Sequence, residues 1–172
     1  MPAPPAASLP WRLRPAGPAD VPALAALYAS TARRLGPACY TPAQVEAWAS
    51  FGTDLPAFAD YVLLADTWLA EAAGPASASG PGEGPAPLGF SGVDAGGEVK
   101  SLYVRHDSQR RGLASHLLAH ALARAQAGGI HHCAAWATPF SLPVFQRAGF
   151  RLVERVQAPF AGTLFERFRV AR

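Results

Sequence analysis

Gln109-Arg-Arg-Gly-Leu-Ala-Ser115 is the segment of this chain whose residue types and spacing suggest chemistry most directly. The strand-like run Glu98-Val-Lys-Ser-Leu-Tyr-Val104 ends shortly before it, and an amphipathic helix opens at Gly112-Leu-Ala114. The first turn of a helix has backbone N–H groups without partners and carries the positive end of the helix dipole. Gly112 and Ala114 are small enough to let an anion come close to that backbone, and Gln109, Arg110, Arg111 and Ser115 add donors around the rim. The combination suits a pyrophosphate cradle. It also suits an ordinary strand–loop–helix corner with a glycine at the bend, and a glycine with two arginines alone favours that plainer reading. The arginines carry less weight here than elsewhere. The chain has fourteen Arg and a single Lys, Lys100, among abundant Ala, Pro and Gly, which is the mark of a codon-composition bias.

The strand before the loop adds a second signal. Side chains alternate along a regular strand, so Val99 and Leu102 should face opposite ways, yet Val99, Leu102 and Val104 are all apolar. One extra residue near Lys100-Ser101 reconciles them, and such a bulge also frees backbone groups beside the loop. Glu98 stands just before the expected bulge. Its plain reading is a solvated strand-end glutamate.

Other constellations carry less. His116 and His120 have the i, i+4 spacing of a metal pair on a helix, but no glutamate lies between them and their phase is off the apolar stripe, so a solvated helix face is expected. His131-His132-Cys133 opens an expected strand, where neighbours diverge and do not easily chelate together. Serine-hydrolase and dinucleotide-fold signatures are absent. No metal site is predicted.

The elements that would position these residues follow from periodicity. Trp11-Arg-Leu-Arg14 reads as a half-buried strand. Pro18-Ala-Asp-Val-Pro22 opens a helix with Leu24, Leu27, Tyr28 and Thr31 on its apolar stripe. Thr41-Pro-Ala-Gln44 reads as the cap of a second helix, which carries Trp48. A third spans Leu55 to Leu64. Strands are predicted at Thr67–Glu71, Leu88–Val93 and Glu98–Val104, with a Gly/Pro/Ser/Ala stretch at 74–87 read as a flexible loop insertion. The clearest helix runs from Leu113 to Ala127, stopped by Gly128-Gly129. A largely apolar strand at Ile130–Ala137, a short helix at Ser141–Ala148 and strands at Phe150–Val156 and Thr163–Val170 follow, the last two joined by a turn at Pro159–Gly162. The class is α/β (α+β): one mixed central sheet flanked by helices. Residues 1–10 are expected to be a disordered tail and 11–172 one domain.

Composition narrows the function classes. The net charge of +3 is spread without a basic run longer than two residues, so nucleic acid is not an expected partner. No apolar run approaches the ~18 residues of a membrane span, and the first ten residues do not read as a signal peptide. Two cysteines, Cys39 and Cys133, are too few for a disulfide framework. A reduced, cytoplasmic protein is expected.

Leu102-Tyr-Val104, five loop residues, then Arg110-Arg-Gly-Leu-Ala114 resemble the acetyl-CoA motif of the GNAT superfamily, Q/R-x-x-G-x-G/A after a bulged strand. Ala137-Thr-Pro-Phe-Ser-Leu-Pro-Val-Phe-Gln-Arg-Ala-Gly-Phe150 resembles that family's second motif, a short helix ending in Gly-Phe. Tyr40-Thr-Pro-Ala-Gln-x-x-x-Trp48 is similar to the substrate-side helix of a bacterial subgroup, so the resemblance covers residues 11 to 170. It implies an acetyl-CoA-dependent N-acetyltransferase with a splayed, bulged strand. The pyrophosphate would lie on Gln109, Arg110, Arg111, Gly112, Leu113 and Ala114 with Ser115 close by. The pantetheine arm would pair beside Leu102, Tyr103 and Val104, near Thr138 and Phe145, and an N–H near Val104 would hold the acyl oxygen. Glu98 would be the base. Tyr28, Arg33 and Tyr40 would shape the acceptor pocket, although Tyr28 and Trp48 read more readily as core. The implied acceptor is a small-molecule amine, with a protein N-terminus or lysine, and a catalytically silent acyl-CoA-binding domain, as the alternatives. A homodimer is left open. Two departures stand out: Ala114 is the third small residue of the cradle, and Phe145 occupies the position where relatives carry a proton-donating tyrosine.

Overall fold

The computed structural model describes residues 9–73 and 85–172. Most of the expected N-terminal tail and of the loop insertion, residues 1–8 and 74–84, lies outside the described residues. The order is β1 (Trp11–Pro15), α1 (Val21–Leu35), α2 (Pro42–Ser50), α3 (Leu55–Leu63), β2 (Asp66–Ala72), β3 (Gly89–Val93), β4 (Val99–Val104), α4 (Leu113–Ala127), β5 (Ala134–Ala137), α5 (Leu142–Arg147), β6 (Arg151–Phe160) and β7 (Thr163–Ala171).

Local chemistry accounts for most boundaries. Thr41 Oγ1 accepts from the Gln44 N–H at 3.3 Å while Gln44 Oε1 accepts from the Thr41 N–H at 2.9 Å, so the capping box forms and fixes the start of α2. Residues 130–132, expected in a strand, instead complete the exit from α4: the Ile130 N–H donates back to Ala125 O at 2.9 Å, and the ladder of β5 begins only at Ala134. The last two strands run longer than their sequence implied, because the turn between them shrinks to Ala161 (φ 44°) and Gly162 (φ 78°). Two successive positive φ angles match the twist of a tight hairpin.

The mixed sheet is divided. β1-β2-β3-β4 form one antiparallel lobe and β5-β7-β6 another. They meet at a parallel bridge between Glu98 and Ala134, where the Ala134 N–H donates to Gly97 O at 3.0 Å. Beyond this point β4 has no partner strand on that side among the described residues, which is the splay the family resemblance implied.

The bulge falls where side-chain phase demanded it. Val93 pairs with Val99 and Gly92 with Ser101, leaving Lys100 as the extra residue. Val99 then packs with Leu118 and Ala121 of α4, and Val104 with Leu113 and Leu117 of the same helix, with Leu102 between the two groups. Tyr103 projects the other way, against the core that α1 forms with Phe58 and Phe90. Both faces of the first sheet are therefore covered. On α4, His116 and His120 are not a solvated face. The Trp11 Nε1–H donates to His116 Nδ1 at 2.7 Å, and His120 stands edge-on to Trp68 with ring centroids 4.4 Å apart. Among the described residues no cluster of potential metal ligands occurs, and no helix is long and apolar enough to cross a membrane.

Candidate active site

The loop after β4 turns sharply because two of its residues adopt left-handed backbone, Arg110 (φ 56°) and Gly112 (φ 83°). That region is open to glycine and costs other residues about 1–2 kcal/mol. Gly112 is the N-cap of α4 and offers no side-chain cap, so the leading N–H groups of the helix are left for an incoming acceptor. A Cβ built on Gly112 would meet nothing within 4 Å. Open space over uncapped amides at the positive end of a 15-residue helix is the arrangement an anion requires. The Gln109 side chain donates to Val104 O at 3.2 Å and ties the loop to the end of the strand.

A cavity of about 360 Å³ runs from this turn along the free edge of β4. It is lined by Leu102, Tyr103 and Val104, by Gln109, Arg110 and Gly112 to Ser115, and by Thr138 and Phe145. Of the expected cofactor residues, Arg111 alone is absent from this wall; its side chain is exposed. Because the Arg105 N–H donates to Leu88 O, the residue before β3, at 2.8 Å, strand alternation aims the Leu102 and Val104 amides into the opening. Opposite them, Thr138 and Ser141 exchange hydrogen bonds of 3.0 and 3.2 Å, which set the start of α5. Phe145 on that helix is buried edge-on against Phe150.

A second cavity of about 260 Å³ lies under α1, α2 and the β6–β7 hairpin. Its walls are mostly aromatic, including Tyr28, Tyr40, Trp48, Tyr61, Tyr103 and Phe165, with Glu98, Lys100 and Arg167 as charged members. The two cavities share Trp48, Val99, Lys100, Tyr103, Trp136 and Thr138, so they meet at the bulge. Tyr28 and Trp48 are thus core and cavity wall at once. Burial pushes the Tyr40 hydroxyl up to about 12 and raises those of Tyr28, Tyr61 and Tyr103. At neutral pH these hydroxyls keep their protons and act as donors, not bases. The Tyr61 hydroxyl donates to Lys100 O at the bulge.

Two expected residues are placed differently from their sequence reading. Arg33 lines neither cavity; it is exposed and forms a two-pronged pair with Glu46, each contact 3.1 Å. Glu98 does line the second cavity, but it is no solvated strand end: Arg169 Nη1 donates to both its oxygens, at 2.8 and 2.7 Å. Arg167, Tyr61 and Trp136 were not singled out from the sequence. Period-two reading of Phe165, Arg167 and Arg169 would have put the arginines on the face of the buried Phe165.

The family model for the acetyltransferase (GNAT) domain matches residues 82–170, just over half of the chain. The chain belongs to the GNAT acetyltransferase family, a class of acyltransferases. No curated protein matches it. Among solved structures it resembles a GCN5-related N-acetyltransferase from Rhodopseudomonas palustris, with a TM-score of 0.82 at 24% identity over 96% of each chain. The PaiA N-acetyltransferase of Thermoplasma acidophilum, solved with coenzyme A, gives 0.72 at 12% identity over 95% of this chain and 99% of that one. A phosphinothricin acetyltransferase from Sinorhizobium meliloti, solved with acetyl-CoA, gives 0.66 at 18% identity over 95% and 88%. These likenesses establish the shared fold.

Proposed function

We propose that this chain is an acetyl-CoA-dependent N-acetyltransferase acting on the primary amine of a small molecule. The observation that carries the reading is the meeting of two cavities at the β4 bulge, one reaching the uncapped start of α4 and the other closed in by aromatic side chains. The coenzyme, when bound, supplies an activated acetyl thioester. The amides of Gln109 to Ala114 and the Ser115 hydroxyl would hold its pyrophosphate. The free edge of β4 at Leu102–Val104 would pair with its arm, and an amide aimed from that edge would stabilise negative charge growing on the acyl oxygen.

Proton handling is the less usual part. Glu98 is the carboxylate of the acceptor cavity and the base in this reading, but it accepts a proton only by loosening its pair with Arg169. Lys100 and Arg167 line the same cavity. Nearby cations and apolar walls both disfavour an ammonium, so the acceptor amine loses its proton more readily there than in water. Phe145 has no proton to donate to the departing thiolate; a thiol pKa near ~8.5 lets that group leave without help.

The acceptor cavity, at about 260 Å³, is below the ~300–1,000 Å³ of ordinary ligand pockets, which favours a small acceptor over a folded protein surface. The test is a panel of small amines and peptides with acetyl-CoA, following thiol release. Turnover of at least one small amine is expected. Turnover of peptides alone would transfer the assignment to a protein acceptor. Tight acetyl-CoA binding without thiol release from any member would favour a silent acyl-CoA-binding domain, the reading that Phe145 and the engaged Glu98 support.

A further inference from the structure

We infer that the acceptor is a compact amine joining a flat aromatic body to a carboxylate, and that Arg167 is the residue that holds the carboxylate. The inference rests on the reading of the second cavity as the acceptor site. Among the described residues four arginines are half-buried: Arg14, Arg105, Arg167 and Arg169. Arg14 is paired with Asp20 and Glu71, Arg105 with Asp107, and Arg169 with Glu98. Arg167 has no carboxylate partner among the described residues, and it lies in the wall of the aromatic cavity. Its guanidinium carbon is 6.0 Å from the Phe160 ring centre, a contact that offsets only part of what a partly desolvated cation loses. A carboxylate from the ligand would supply the missing partner through the paired hydrogen bonds that the guanidinium fork favours.

The remaining walls select the rest of the molecule. Tyr40 stands edge-on to Phe165 at 5.2 Å and to Trp48 at 5.8 Å, and Phe51 stands edge-on to Tyr61 at 5.2 Å. Rings locked against one another in this way form a slot whose shape is set before a ligand arrives, and a flat ring fits it by the same edge and face contacts. Aromatic walls could in principle serve a permanent cation. Here Lys100 and Arg167 both line the cavity, and the carboxylate that could balance the Arg167 guanidinium, Glu98, is already held by Arg169. The excess charge is positive, so the complementary ligand carries an anion.

Three amines separate the parts of the inference when assayed with acetyl-CoA: L-phenylalanine, phenethylamine, which lacks the carboxylate, and L-alanine, which lacks the ring. Phenylalanine is expected to exceed both in kcat/KM. Arg167→Gln should lower kcat/KM for phenylalanine by about 10–100-fold, mostly through KM, the size expected for one charge-assisted hydrogen-bonded contact. The loss with phenethylamine should be much smaller, and Arg167→Lys should recover part of the phenylalanine activity. A purely structural arginine would move both substrates alike. Calorimetry with N-acetyl-L-phenylalanine reads the same contact without turnover, and its affinity should fall by the same factor in the Gln variant. Phenethylamine equalling phenylalanine, or Arg167→Gln depressing both substrates equally, overturns the assignment. If acetyl-CoA binds but no amine releases thiol and N-acetyl-L-phenylalanine does not bind, the acceptor-site reading itself fails and this inference fails with it.

Discussion

At the scale of single residues, Glu98 is pulled between two roles. Glu98 lines the second cavity, the proposed acceptor site, and also ties the two lobes together through Arg169. A base is needed only while the amine still carries its proton. Glu98→Gln should therefore lower kcat/KM most at low pH, by about 100-fold, with the deficit shrinking as the amine deprotonates unaided. An unchanged pH–rate profile accompanied by a lower Tm would mean that Glu98 serves only as the tie. His120 carries a pH-dependent contribution to stability. Burial holds its pKa below 6.5, helped by Arg124 and His116 and opposed by Asp66. The folded state thus favours neutral imidazole, and as pH falls through 6.5 the unfolded chain takes up its proton first. Stability from this residue is complete above that pH and declines below it. Asp20, held below 3.8 chiefly by its hydrogen bonds from Arg14, titrates in a lower window and does not confuse the reading. Denaturant midpoints measured from about pH 7 down to about pH 5 should fall for the wild type, and His120→Gln should flatten that slope. An equal slope in the variant would assign the effect to another group.

At the scale of elements, legibility followed how local the determinants were. The cap of α2, the bounds of α4 and the Lys100 bulge were readable because each depends on neighbours in the chain: a Thr–Gln exchange, a 3.6-residue stripe, a parity conflict. The length of β5 and the partners of Arg33, Glu98 and Arg167 were not readable, since each depends on segments distant in sequence, and the division of the sheet followed only from the family resemblance. The edge of the first sheet shows the same dependence. Glu71 on β2 is 2% exposed and accepts from Arg12 Nε at 2.7 Å and Arg14 Nε at 3.1 Å, both on β1. Arg14 also grips Asp20 at 2.7 Å. Removing Glu71 leaves Arg14 with a carboxylate and Arg12 largely in water. The cost should therefore fall short of an orphaned buried ion, about 1–3 kcal/mol for Glu71→Ala by urea denaturation. A change under about 0.5 kcal/mol would place this network among the many ion pairs that contribute nothing measurable.

At the scale of the molecule, the first cavity lies between two lobes that, among the described residues, pair along one short bridge. Its walls come from β4 and the start of α4 on one side and from Thr138 and Phe145, beyond β5, on the other. A ligand seated there contacts both lobes, so it should stabilise them as a unit. Binding to the folded state alone adds about 2.7 kcal/mol at a hundred times Kd. For a chain of this size that is a rise of roughly 5–10 °C in Tm. Gly112 provides the control. Its φ of 83° makes both Gly112→Ala and Gly112→Glu strained by about 1–2 kcal/mol, so both should melt earlier than the wild type without ligand. They differ in what enters the open space over the helix start: a methyl group in one, a carboxylate at the place of a phosphate in the other. With acetyl-CoA present, Gly112→Ala should keep a reduced rise in Tm, whereas Gly112→Glu should show none and no heat of binding by calorimetry. A wild-type rise in Gly112→Glu would remove the anion-binding role from this turn, and an absent rise in the wild type would mean the cleft between the lobes does not hold the coenzyme.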